Sequence, residues 1–133
     1  MIAQGVPAGE LLRLAETVAR ARWAGANHRL SEAARLYREA AAIEQSIPYM
    51  EPPYWYYPVH QSLGATLYRA GRFREARDAF ETALTQSPNN GWVLYGLSAS
   101  ERALGRRTQA ATADAALRKA WSGDPSWLRM DRL

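Results

Sequence analysis

Residues 63–88 read LGATLYRAGRFREARDAFETALTQSP. Gly71 separates two stretches whose apolar residues recur every three or four positions, the periodicity of amphipathic helices. Gly64, Ala76 and Ala83 are small, so two antiparallel helices joined at Gly71 can approach closely. Leu67 and Phe80 fill the space beside them, and Pro88 cannot continue the second helix. The stretch predicts a helical hairpin.

The same pattern recurs on both sides. Downstream, LSASERALGRRTQAATADAALRKAWSGDP begins at Leu97, and the pairs Leu63/Leu97 and Gly71/Gly105 are each 34 residues apart. A fixed period of this length is the signature of stacked helical hairpins. In this copy Ser98 replaces the small glycine and Glu101 replaces the apolar residue. Ala113, Leu117, Ala120 and Pro125 each follow Ala76, Phe80, Ala83 and Pro88 by 37 residues, which predicts a second helix about one turn longer. Upstream, Ala33, Tyr37 and Ala40 match Ala76, Phe80 and Ala83 at an offset of 43, so nine extra residues lie between the first and second hairpins. The predicted helices run near 8–25 and 30–46, 58–70 and 73–87, then 90–104 and 107–122. The repeats are therefore about 8–46, 58–88 and 90–122, in one domain spanning 1–133. A Pro-rich aromatic insert occupies about 46–57. Residues 124–133, ending in SWLRMDRL, are expected to cap the last hairpin through Trp127, Leu128 and Met130.

The central hairpin resembles a tetratricopeptide repeat. Leu63-Gly64 stand where that family has Leu-Gly, and Leu67 stands where Tyr is common. Ala76, Phe80, Ala83 and Pro88 fill the Ala, Phe, Ala and Pro positions, while His60 replaces the usual Trp. The resemblance implies an all-α, right-handed α-solenoid of three helix-turn-helix hairpins, with the first helix of each hairpin on the concave side. In addition, IPYMEPPYWYYPVHQSLG and RALGRR resemble the C-terminal region of larger bacterial tetratricopeptide-repeat proteins. That likeness covers most of residues 30–122 and implies an adaptor-like fold.

Bulk composition narrows the function classes. The chain has 133 residues, 47% of them hydrophobic and 23% charged, as in an ordinary globular protein. It has no cysteine, so disulfides, thiol nucleophiles and thiolate metal sites are excluded together. No window approaches 18 continuous apolar residues, and MIAQGVPAGELLRLAE lacks a basic leader followed by an apolar run. A cytoplasmic location is the expectation. The net charge of +4 comes from 16 arginines and a single lysine, Lys119, set against 13 acids. The arginines alternate with acids, as in ARLYREA and GRFREARDAFE, which describes solvated helix faces with local ion pairs. Nucleic-acid and membrane partners are therefore not expected.

Catalytic and metal sites find little support. His28 falls in a turn and His60 at a helix start, in different repeats. No Ser-His-Asp or Lys-based arrangement follows from the spacing. Met50, Glu51 and His60 would meet a soft metal only if the insert folded back. The turns GRFREA and GRRTQA offer Arg72, Arg106 and Arg107 to an anion, but surface solvation is the better reading of them. No cofactor and no enzymatic activity are expected.

A partner-binding groove is the better candidate. Chaperone-binding members of the family hold carboxylates with Lys and Asn on inner faces; here those positions are Gln61, Ser62, Ala65, Tyr95 and Gly96, which disfavours that ligand. Matching the repeats places Val18 and Arg22, then Gln61, Ala65, Tyr68 and Arg69, then Trp92, Tyr95, Ala99 and Arg102 on the concave side. Arg22, Gln61, Tyr68, Arg69, Trp92, Tyr95 and Arg102 are the candidate groove residues, since aromatics and arginines dominate binding hot spots. In the insert, Tyr54, Trp55, Tyr56 and Tyr57 are expected mainly to wedge the gap between repeats one and two and secondarily to form a lip of the groove. The expected function is a protein-interaction module that binds a peptide or partner segment; the alternative is a small-molecule or enzymatic role in a cavity under the insert. Ala110, Ala113, Ala116, Leu117, Ala120 and Trp121 form a wide small-residue stripe, which suggests a weak homodimer.

Overall fold

A computed structural model describes residues 8–46, 58–121 and 125–133. Among them are six α-helices and no strand: α1 (Ala8–Ala26), α2 (Leu30–Ser46), α3 (Val59–Arg69), α4 (Phe73–Gln86), α5 (Gly91–Ala103) and α6 (Arg107–Ala120). Two single turns of 3-10 helix follow, at Pro125–Trp127 and Met130–Arg132. Each helix packs on the next in order, and α3 also packs directly on α5. The first helices of successive hairpins therefore share one side, the inner face, and α2 and α4 lie behind them. The molecule is an all-α solenoid of three tetratricopeptide-like hairpins.

Two glycines set the hairpin turns. Gly71 and Gly105 have φ of +79° and +76°, the left-handed region that a Cβ disfavours. Each turn is closed by a backbone bond five residues back: Arg72 N–H donates to the Leu67 carbonyl and Arg106 N–H to the Glu101 carbonyl, both at 2.9 Å. In the first hairpin His28 fills this role with φ of +60°, and Arg29 N–H donates to the Ala24 carbonyl at 2.8 Å. A side chain held in that region costs roughly 1–2 kcal/mol. His28→Gly is therefore expected to stabilise the chain by about 1 kcal/mol, read as a higher midpoint in urea with an unchanged slope.

The core lies where small residues let the helices meet. Ala33, Ala40, Ala76 and Ala83 are fully buried, and so is Ala21, which stands 43 residues before Gly64. Phe80 is 0% exposed. A Cβ built on Gly64 would lie 2.8 Å from its ring, and one built on Gly96 would lie 2.3 Å from it. One ring thus closes hairpin two and docks hairpin three.

Hairpin three departs from its expected register. Helix α6 has 14 residues, the same as α4, so it is not a turn longer. Its buried residues are Ala110 and Ala113, which follow the buried Ala76 and Ala79 by 34, not 37. In that register Ser98 replaces Gly64 and Asp114 replaces Phe80. Ser98 Oγ hydrogen-bonds Asp114 Oδ1, so a polar pair stands where the glycine–phenylalanine contact stands in hairpin two. Glu101, at the position of Leu67, is 4% exposed, with Arg106 Nε 2.9 Å from Oε1 and not aligned as a hydrogen bond.

The arginine-rich surface is paired as its alternation implies. Arg13–Glu10, Arg20–Glu16, Arg29–Glu32 and Arg35–Glu39 all join neighbouring turns of one hairpin. These exposed pairs add little stability. Arg38–Glu75, at 3.2 Å, links α2 to α4 across repeats. Arg72 is also held by Glu75, and Arg106 by Glu101, which engages two of the three turn arginines within the fold, while Arg107 is exposed.

Candidate functional site

The inner face is assembled from α3 and α5. Tyr68 and Tyr95 are half-buried, and Tyr95 stands close enough to Tyr68 for the two phenols to interact electrostatically. The Tyr68 ring meets Phe73 edge to face, with centroids 5.1 Å apart, which fixes it at the end of α3. Burial is the main cause that pushes the Tyr95 phenol up from its ordinary value. Both rings keep a polar tip on a partly wet surface, an arrangement suited to recognition.

Most of the other candidates are structural ties. Gln61 is 8% exposed, and its Oε1 accepts from Asn90 Nδ2 at 3.0 Å. The same Asn90 accepts from Trp92 N and Val93 N and so caps α5. Gln61 therefore joins α3 to the cap of α5; its amide is committed and does not face an open groove. Trp92 meets Trp121 edge to face at 5.2 Å, and Trp121 sits where a Cβ on Gly91 would be, 2.6 Å away. That contact ties the end of α6 to the start of α5. Arg69 is exposed and donates to the Gly25 carbonyl at 3.1 Å, joining repeats one and two. Arg102 turns to Asp114 at 2.7 Å, within its own hairpin. Arg22 is exposed on α1, while Val18 and Ala65 are core residues. Tyr54, Trp55, Tyr56 and Tyr57, with Met50 and Glu51, lie outside the described residues.

The segment after α6 was missed as part of this face. It does not stop over the last hairpin. Its Met130–Arg132 turn packs on α3, and Met130 and Leu133 rest against the core. Ser62 Oγ donates to the Leu133 carbonyl at 3.0 Å. Trp127, expected to be a capping residue, is 58% exposed. The Asp131 and Arg129 charges act in opposite directions on the Tyr95 phenol.

Behind the inner face, α2 and α4 flank a cleft of about 270 Å³ floored by α3, lined by Arg38, His60, Leu63, Glu75 and Thr82 among others. Burial lowers the affinity of His60 for a proton. Nearby, Glu44 of α2 accepts from Val59 N at 3.4 Å at the start of α3. Burial outweighs that hydrogen bond and raises its carboxyl above the ordinary value. A raised carboxyl favours the fold below the unfolded value and loses that contribution as pH rises through the folded value. Glu44→Gln removes the buried charge and keeps an acceptor. The melting-temperature difference between this variant and wild type is expected to become more positive from pH 4 to pH 7. Among the described residues, no three His, Asp or Glu side chains converge to hold a metal ion. No helix among them is long and apolar enough to cross a membrane.

Residues 57–90 match the family model for the tetratricopeptide repeat. That span, which holds hairpin two, is a tetratricopeptide repeat. A solved structure of a MamA mutant is similar with a TM-score of 0.69 and 23% identity, over 83% of this chain and 74% of that one. At that identity the likeness bears on the tetratricopeptide fold alone. No curated protein matches the sequence.

Proposed function

We propose that this tetratricopeptide-repeat protein is a non-enzymatic interaction module that holds a partner segment on the inner face of α3 and α5. The observation that carries the reading is the pair of half-buried tyrosines, Tyr68 and Tyr95, on adjoining inner helices, with the C-terminal turn packed on α3 of the same face. Large amphipathic rings supply contact area at low entropic cost, and such residues dominate binding energy when water is excluded around them. Arg22 and Arg69 border the face, and Tyr54 to Tyr57 remain proposed as its lip. A bacterial, cytoplasmic setting and weak self-association through Ala116 and Leu117 of α6 belong to the same proposal.

A small-molecule role would centre on the cleft at His60. That cleft is slightly below the usual size for ligand pockets, roughly 300–1,000 Å³, and the Arg38–Glu75 pair crosses it. The inner face is the stronger reading. Its test is affinity capture from the native cell extract with wild type, with Tyr95→Ala and with Glu81→Lys on α4. Tyr95→Ala is expected to weaken retention of the captured protein about tenfold or more, as for a hot-spot aromatic. Glu81→Lys is expected to leave it unchanged. Equal retention by all three, or loss only with Glu81→Lys, would move the binding surface off the inner face.

A further inference from the structure

The segment on the inner face is attached in an unusual way for a stable cap. Residues 126, 127, 129, 131 and 132 are exposed; Met130 and Leu133 are the side chains packed against the core. They are three residues apart, and side chains at that spacing eclipse on one side of a 3-10 turn. The polar anchor is Ser62 Oγ, on a residue 2% exposed, donating to the carbonyl of Leu133, 71 residues further along. Arg129 and Asp131 pair with each other at 2.8 Å on the outer side of the turn. Two apolar anchors, one backbone acceptor and an exposed charged rim describe a docked peptide better than a core element.

We propose that residues 125–133 are an intramolecular stand-in for the partner, and that a partner binds by displacing them with a short turn of the same chemistry. That partner segment presents two apolar side chains three residues apart, together with a backbone carbonyl for Ser62. The inference rests on the inner face being the binding surface, and adds what it binds and what guards it. A tethered segment acts at an effective concentration of the order of 1 mM. If its own affinity is about 100 μM, the free face is about one part in eleven, and a competing segment binds about tenfold more weakly than to an open face.

The probe is a fluorescent, amidated peptide of residues 125–133, titrated with the full chain and followed by anisotropy. Met130→Asp places a charge in the apolar contact and is expected to release the tethered segment. This variant should bind the peptide about tenfold more tightly than wild type. The chain has no cysteine of its own, so a Ser62→Cys, Leu133→Cys pair can be oxidised selectively. The oxidised pair is expected to exclude the peptide, and reduction to readmit it. Circular dichroism checks that each variant is folded; should Met130→Asp fail to fold, oxidised against reduced decides alone. Equal binding by open and closed forms, or no binding to either at 1 mM peptide, would overturn the stand-in. The Tyr95→Ala capture result is independent of the peptide. Loss of capture there with no peptide effect here rejects the stand-in and keeps the inner-face reading, while no loss of capture rejects the reading beneath it.

Discussion

Phe80→Ala is expected to lower the unfolding free energy by about 3–5 kcal/mol, the usual range for emptying a fully buried aromatic site. The ring is 0% exposed and sits over glycines of two different helices, Gly64 in α3 and Gly96 in α5. Neither glycine has a side chain to move into the vacated space, so collapse can compensate little. The loss therefore falls on two contacts together, the closure of hairpin two and the docking of hairpin three. Domains of this kind have a total stability of roughly 5–15 kcal/mol, so the change removes a large part of it. Urea melts followed by helical signal measure it. A drop below about 1 kcal/mol would mean that Phe80 does not join the repeats.

Gly96→Ala sets two effects of opposite sign against each other. In a helix interior, alanine is ordinarily better than glycine by roughly 0.5–1 kcal/mol. At Gly96, however, the added Cβ would lie 2.3–2.7 Å from the Phe80 ring, inside any real contact distance. The ring is enclosed and has no free space to yield, and overpacking of this kind costs typically 1–3 kcal/mol. The clash wins, and net destabilisation of about 1–2 kcal/mol is expected. Adding Phe80→Leu should recover part of the Gly96→Ala loss, giving a coupling energy of at least about 0.5 kcal/mol in a double-mutant cycle. A Gly96→Ala variant more stable than wild type would contradict the packing.

What the sequence made legible was local. The hairpin of residues 63–88 announces itself because its small residues, its turn glycine and its closing proline lie within one period. Gly71 and Gly105 mark the same left-handed turn, and His28 shows that this turn persists when the glycine is lost. The register of α6 was misread because Ala113, Leu117 and Ala120 match alanine and apolar positions by residue type. The true correspondence is hidden by a coupled change, glycine to Ser98 and phenylalanine to Asp114, which keeps a contact while reversing its polarity. The sequence signal was present: both replacements occur at the 34-residue offset.

The candidate site was only partly legible, for a different reason. Tyr68 and Tyr95 follow from repeat geometry, because the inner face is set by helix periodicity. Gln61 and Arg102 lie at inward positions by the same logic, yet their polar groups are taken up by Asn90 and Asp114. Spacing gives the direction of a side chain and not its partner. The docking of Met130 and Leu133 on α3 joins residues about seventy positions apart through two apolar contacts and one hydrogen bond. Nothing within the C-terminal stretch itself distinguishes that destination from a cap over α6.

The central claim is that a partner segment engages the inner face. A photoreactive side chain at Tyr95, compared with one at Glu81 on α4, tests it directly in the native extract. Crosslinks to a partner protein are expected from Tyr95 and not from Glu81, and excess peptide of residues 125–133 should suppress them. Crosslinks from Glu81 with none from Tyr95 would place the partner on the opposite side of the solenoid and contradict the claim.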